Sequence, residues 1–122
     1  MECIGRSDIE ITGSMRGTYA VHAEPWEAQA SQWVYHPSII ETATGVVVWS
    51  PADRLWSLDM ATWQSDARVH LRLRRFPGGH QPPFVVATVD CCARIAFIGD
   101  VAYGLEGLER GLRAALVEPF DP

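Results

Sequence analysis

The sequence predicts an α+β domain: an antiparallel β-sheet meander packed against a C-terminal amphipathic helix, with a short helix near residues 25–33. Three observations carry this reading. From Arg68 to Asp90 two apolar runs flank a turn-rich segment containing Pro77-Gly78-Gly79 and Pro82-Pro83, which reads as a β-hairpin. In its first arm Val69, Leu71 and Leu73 alternate with His70, Arg72 and Arg74, the period-2 pattern of a strand with one wet side. At the other end of the chain Val101, Leu105, Leu108, Leu112, Ala115 and Leu116 mark one stripe of a helix, with Asp100 as its N-cap and Pro119 as its stop. Between these, short strand-like runs follow one another with connections too short for crossover helices, which favours antiparallel neighbours.

Taken in order, Asp8–Thr12 alternates Ile9 and Ile11 with charged residues, and Thr18–His22 places Tyr19 and Val21 on one face, so the two runs pair as a hairpin. Pro25 then suits a first helical turn, Glu24 and Glu27 favour an N-terminus, and Trp26, Ala30 and Trp33 recur at i, i+4 and i+7, which predicts the short helix ending before His36-Pro37. Ile39-Ile40 and Val46–Trp49 are β-branched strand runs. Ser50-Pro51-Ala52-Asp53 fits a type I turn, and Leu55–Met60 is the expected return strand. Polar Gln64-Ser65-Asp66 leads into the Arg68–Asp90 hairpin, and Asp90-Cys91-Cys92 joins it to a last strand over Arg94–Ile98.

A chain of 122 residues, 48% hydrophobic, suits one domain over 1–122 with one core. No apolar run approaches a bilayer span, the N-terminus lacks signal-peptide character, and three cysteines, two of them adjacent, argue against a disulfide framework; a cytoplasmic setting is the expectation. All 10 basic residues are Arg. Without Lys, Schiff-base catalysis, pyridoxal phosphate attachment and P-loop phosphate binding are closed, so no cofactor is expected. The absence of Lys and Asn also hints at a GC-rich bacterial or phage genome. A formal net charge of -5 disfavours nucleic acid.

Candidates for chemistry are few. Cys91 and Cys92 lie near Asp90 and His80, but adjacent cysteines point to opposite faces of a strand, so no metal site is expected and a small buried hydrophobe is the default for cysteine. His22, His36, His70 and His80 sit in no catalytic signature. Asp53, Asp59 and Asp66 are available for acid-base work, yet salt bridges to Arg54, Arg68, Arg72 or Arg74 are the simpler role. The Arg72, Arg74 and Arg75 cluster, with His70 on the face of the first two, offers a phosphate or RNA site, though a charged outer face or an edge guard is the simpler role. Of the five tryptophans, Trp49 and Trp56 flank the Pro51 turn and are candidate anchors for a protein contact.

The order of elements, a tryptophan-bearing meander followed by a terminal helix on a small acidic chain, resembles in architecture small bacterial immunity or inhibitor proteins. The resemblance covers no diagnostic residues and assigns no site. With no catalytic motif, the expectation is a non-enzymatic protein-binding domain of the bacterial or phage inhibitor class, acting on a basic partner, with Trp49, Trp56, Asp53, Asp59, His70, Arg72 and Arg74 as candidate binding residues. The alternative is a small enzyme or ligand-binding protein with a tryptophan-lined pocket between sheet and helix. A stripe of Gly104, Gly107 and Gly111 beside the leucines adds the expectation of a homodimer through close helix approach.

Overall fold

Alternation of small or β-branched residues with polar ones builds nine strands in the computed structural model, which describes residues 8–29, 31–79 and 82–116. They are β1 (Ile9–Gly13), β2 (Tyr19–Gln29), β3 (Gln32–Glu41), β4 (Val47–Trp49), β5 (Trp56–Trp63), β6 (Arg68–Arg75), β7 (Val85–Asp90), β8 (Ile95–Ile98) and β9 (Val101–Gly104), followed by helix α1 (Leu105–Ala115). Every pairing is antiparallel and sequential, so the α+β expectation holds. The meander is, however, divided: β1 to β4 form one sheet and β5 to β9 a second. Ser50–Leu55 is therefore a crossing between sheets rather than a hairpin turn. Its Ser50 Oγ donates to Pro37 O at 2.7 Å, and His36 Nε2 lies 2.7 Å from Pro51 O, which ties the crossing back to β3.

The hairpin expected from Arg68 to Asp90 is β6 and β7, with Val69 opposite Val89 and Leu71 opposite Ala87. Val69, Leu71 and Leu73 are fully buried, as their alternation requires. The short helix expected over 25–33 is not formed: the described residues of that stretch, all but Ala30, belong to the far end of the β2–β3 hairpin, with Pro25 opposite Tyr35, Trp26 opposite Val34 and Glu27 opposite Trp33. The i, i+4, i+7 spacing of Trp26, Ala30 and Trp33 describes a helical stripe only if nothing pairs with the segment, and β-formers Val34 and Tyr35 supply a partner strand. Ser31 takes a positive φ of 64° beside the tip of the hairpin. Pro25 lies past Ala23 on β2, and Pro37 lies before Ile39 on β3, so each proline sits where its strand has one neighbour and a missing N–H is tolerated.

The C-terminal helix is present but starts later than expected. Gly99-Asp100 makes a tight turn, with Gly99 at φ 60°, that lets Val101–Gly104 pair with Ile95–Ile98. Asp100 thus belongs to a hairpin, Gly104 is the N-cap without a side-chain bond, and Val101 is exposed on β9 instead of joining the stripe. Pro119 lies outside the described residues. Leu105, Leu108, Leu112 and Leu116 are buried and pack α1 on β7, β8 and β9. One buried cluster draws Val21, Ile39 and Trp49 from the first sheet, Trp56, Leu71 and Leu73 from the second, and the leucines from the helix.

Two carboxylates fasten distant turns. Asp66, in the β5–β6 loop, accepts from Ser14 Oγ at 2.7 Å, from Arg16 N at 2.6 Å and from Thr18 Oγ1, so it holds the β1–β2 turn. Asp90 accepts from the backbone of Cys92 and Ala93 at 3.1 and 2.9 Å and pairs with Arg68 at 3.1 Å, which shapes the β7–β8 turn.

Candidate functional site

The residues singled out from sequence separate into two groups. Trp49 and Trp56 are only 6% and 0% exposed, so neither is an anchor for a partner. The division into two sheets explains this, because both strands flank the crossing with these side chains turned into the shared core. Asp53 is engaged within the fold. Its Oδ2 accepts from Arg75 Nη2 and Nε at 2.8 and 3.0 Å and from Arg113 Nη1 at 3.1 Å, while Oδ1 accepts from Leu55 N at 3.0 Å. Partial burial pushes its carboxyl upward, but the Leu55 N–H and the two arginines outweigh that and leave it below the ordinary value.

Asp59, His70, Arg72 and Arg74 do come together, on the outer face of the second sheet. Register sets this: Arg74 lies opposite Ser57, Arg72 opposite Met60 and His70 opposite Thr62. A register shift between Leu58 and Met60 leaves Asp59 as the bulged residue, which turns its carboxylate toward β6. Asp59 Oδ2 then accepts from both Arg72 Nε and Arg74 Nη2 at 3.0 Å. Burial raises the Asp59 carboxyl, Arg74 and Arg72 lower it by more, and the net displacement is downward. Two guanidiniums therefore share one carboxylate oxygen, a local positive excess on an acidic chain. Arg72 also lies over the Phe84 ring, 4.7 Å from its centroid.

Around this triplet lie residues that sequence reasoning missed. β3 runs beside β5, where Tyr35 N donates to Ser57 Oγ at 3.0 Å, and this contact brings the end of the first hairpin against the edge of the second sheet. Trp33, Tyr35, Ile11 and Met60 consequently line one groove of about 550 Å³ with Ala23, Ser57, Asp59 and Arg74. Trp33 is 53% and Met60 50% exposed, unusual for side chains of this size. A second groove of about 210 Å³ shares Trp33, Ser57 and Arg74 and continues toward Phe76, Pro77 and Gly78. A third, of about 200 Å³, joins through Met60 to His70, Arg72 and exposed Val86. The signal for this face was present in the repeated aromatics of Trp33-Val34-Tyr35, but only a strand reading puts Trp33 and Tyr35 on one side.

Elsewhere the surface offers less. An open cleft of about 440 Å³ lies between β4 and α1, with Val47, Trp49, Arg94, Leu105, Glu106 and Glu109 among its walls. Its Glu109 is already bonded to the backbone of Ala52 and Asp53 at 2.7 and 3.0 Å. Cys91 is buried and its thiol is pushed up to about 12 by burial, with Asp90 adding to the effect, so it is not a nucleophile at neutral pH. Among the described residues no three His, Cys, Asp or Glu side chains gather as metal ligands. His80 lies outside the described residues. No protein-family model, curated protein or solved structure matches this chain.

Proposed function

We propose that this chain is a non-enzymatic protein-binding domain and that its partner docks on the face formed by Ile11, Trp33, Tyr35 and Met60 around the Arg72–Asp59–Arg74 triplet. The observation that carries the reading is the continuity of these exposed apolar side chains with the arginines: the central groove shares Trp33 and Arg74 with the second and Met60 with the third. A contiguous apolar patch with a polar rim is what a monomer seldom exposes without a use. Its composition also fits, because Trp, Tyr, Met and Arg are the residues enriched at interface centres.

This reading keeps the inhibitor and immunity class as the candidate biological setting and revises the expected partner charge. The chain as a whole is acidic, but the docking face is positive, so the complementary surface is acidic where it touches Arg72 and Arg74. The small-ligand alternative is served by the β4–α1 cleft, whose wall includes Trp49. Part of its polar equipment already closes the Ser50–Leu55 crossing, which favours the docking reading.

The test is affinity capture from the native host with parent, Trp33→Ser/Met60→Asp and Val101→Asp chains, each first checked for native circular dichroism. The docking reading expects one partner recovered by the parent and by Val101→Asp, whose site is exposed on the distant strand β9, and lost with the double variant. A partner retained by the double variant overturns it.

A further inference from the structure

Resting on the docking reading, we infer that the groove between β3 and β5 receives an extended, acidic segment of the partner, with an apolar side chain seated by Trp33, Tyr35 and Met60 and a neighbouring carboxylate held by Arg74. Shape supports an extended occupant. The two grooves adjoin through Trp33, Ser57 and Arg74 as one trough, whose walls include Ile11 and Ala23 in the first and Pro77 and Gly78 in the second, and neither is an enclosed cavity. Alternate residues of a strand point to the same side, so an apolar residue and a carboxylate two positions apart both face the trough floor.

Charge selects an acidic occupant. Arg74 gives one N–H to Asp59, and that same oxygen is shared with Arg72, which leaves further guanidinium donors on a side chain 53% exposed. Among the described residues Asp59 is the single carboxylate lining the trough, against Arg74 and Arg75. Arg75 gives both Nε and Nη2 to Asp53 and is mostly buried, whereas Arg74 shares its single carboxylate partner with Arg72 and is the more exposed, so Arg74 is the recognition element. Glu27, which pairs with Trp33 across the hairpin, does not line the trough. A planar guanidinium beside an aromatic wall suits bidentate carboxylate recognition.

A single-stranded nucleic acid is also anionic and extended, but bases need free aromatic faces. Trp33 and Tyr35 offer such faces in the trough, but a chain of formal net charge -5 repels a polyanion, whereas a short segment with one or two carboxylates meets only the local arginines. Protein is therefore the favoured class.

The test pans a phage-displayed random dodecapeptide library on the full chain, then measures the strongest synthetic peptide by fluorescence anisotropy. Enriched sequences are expected to carry Asp or Glu within two positions of an aliphatic or aromatic residue. Arg74→Ser is expected to weaken that peptide by about tenfold or more, whereas Asp59→Asn, which removes the internal competitor, strengthens it several-fold. That gain distinguishes recognition from a merely structural role for the triplet. Enrichment of neutral or basic peptides, equal affinity on Arg74→Ser, or displacement by oligothymidylate overturns the inference. If panning fails while Trp33→Ser/Met60→Asp still abolishes partner capture, the acidic-strand inference falls and the docking face stands; if capture survives the double variant, the docking face falls as well.

Discussion

Glu109 Oε2 accepts the backbone N–H of Asp53 at 3.0 Å, and its other oxygen accepts that of Ala52 at 2.7 Å, so the helix carboxylate closes the crossing between the two sheets. Arg113, one turn further along α1, reaches Asp53 from the same side at 3.1 Å. The crossing is short of regular structure, and these bonds stand where ladder bonds would otherwise satisfy its backbone. Glu109→Ala is expected to lower stability by about 1 to 2 kcal/mol, because two N–H groups lose a charged acceptor and only the outer one regains water easily. Arg113→Ala, removing a half-exposed guanidinium, is expected to cost under about 1 kcal/mol. Urea midpoints of the two variants check the order, and an equal or reversed ranking refutes the clasp.

A second fastening is sensitive to acid. Thr18 Oγ1, Ser14 Oγ and the Arg16 N–H bond the Asp66 carboxylate and lower it from 3.8 to about 2. A value lower in the folded than in the unfolded chain means that the unfolded state binds the proton more readily, so the contribution is present at neutral pH and above 3.8, and is lost as pH falls through 3.8 toward about 2. Asp66→Asn should be less stable than the parent at pH 7, with the gap closing across that window. Paired denaturation curves at neutral and acid pH measure it; a gap independent of pH would show that the charge of Asp66 plays no part.

Leu108 is fully buried at the centre of the α1 stripe, between Leu105 and Leu112 on the helix face that meets the second sheet. Leu108→Ala is expected to destabilise by about 2 to 5 kcal/mol, the sum of lost burial and a cavity. Chemical denaturation gives the value directly, and an unchanged midpoint would remove this helix from the core.

What was legible in the sequence was what depends on neighbours along the chain. The alternation of Val69, Leu71 and Leu73 and the leucine spacing of α1 each fix an element locally; the strand stands where expected, and the helix is present but begins at Leu105 because Val101–Gly104 pairs as β9. The end of the β2–β3 hairpin was not legible, because Trp26, Ala30 and Trp33 fit a helical stripe and only pairing with residues across the turn decides against it. The candidate site divided the same way. Arg72, Arg74 and His70 share a face by simple alternation, and Asp59 joins them through a bulge that no local pattern announces. Trp33 and Tyr35 meet them only through the Tyr35–Ser57 contact, 22 residues apart in sequence. Conversely, the burial of Trp49 and Trp56 follows from which side of each sheet faces the other, a property of the assembled layers.

The glycines of α1 yield a paired prediction. An added Cβ at Gly107 meets no atom within 4 Å, whereas at Gly111 it would lie 2.5 Å from Cζ of Tyr103, whose ring covers that turn of the helix. At Gly104 the nearest atoms belong to the Glu106 carboxylate. The stripe that suggested close approach of a second helix is thus covered at Gly111 by the chain's own tyrosine, and Gly107 alone of the three faces open space. Replacing glycine by alanine in a helix interior stabilises by roughly 0.5 to 1 kcal/mol when nothing obstructs it. Gly107→Ala is therefore expected to raise the denaturation midpoint. Gly111→Ala is expected to lower it by about 1 to 2 kcal/mol, since the Tyr103 ring must leave its seat against the helix and gives up packing that the helix propensity cannot restore. Placing Gly111→Ala in a Tyr103→Leu background should remove most of that loss, as coupled neighbours do in a double-mutant cycle. If instead Gly107→Ala destabilises in proportion to protein concentration while Gly111→Ala is neutral, the open glycine is in contact with another copy, and the homodimer regains its footing.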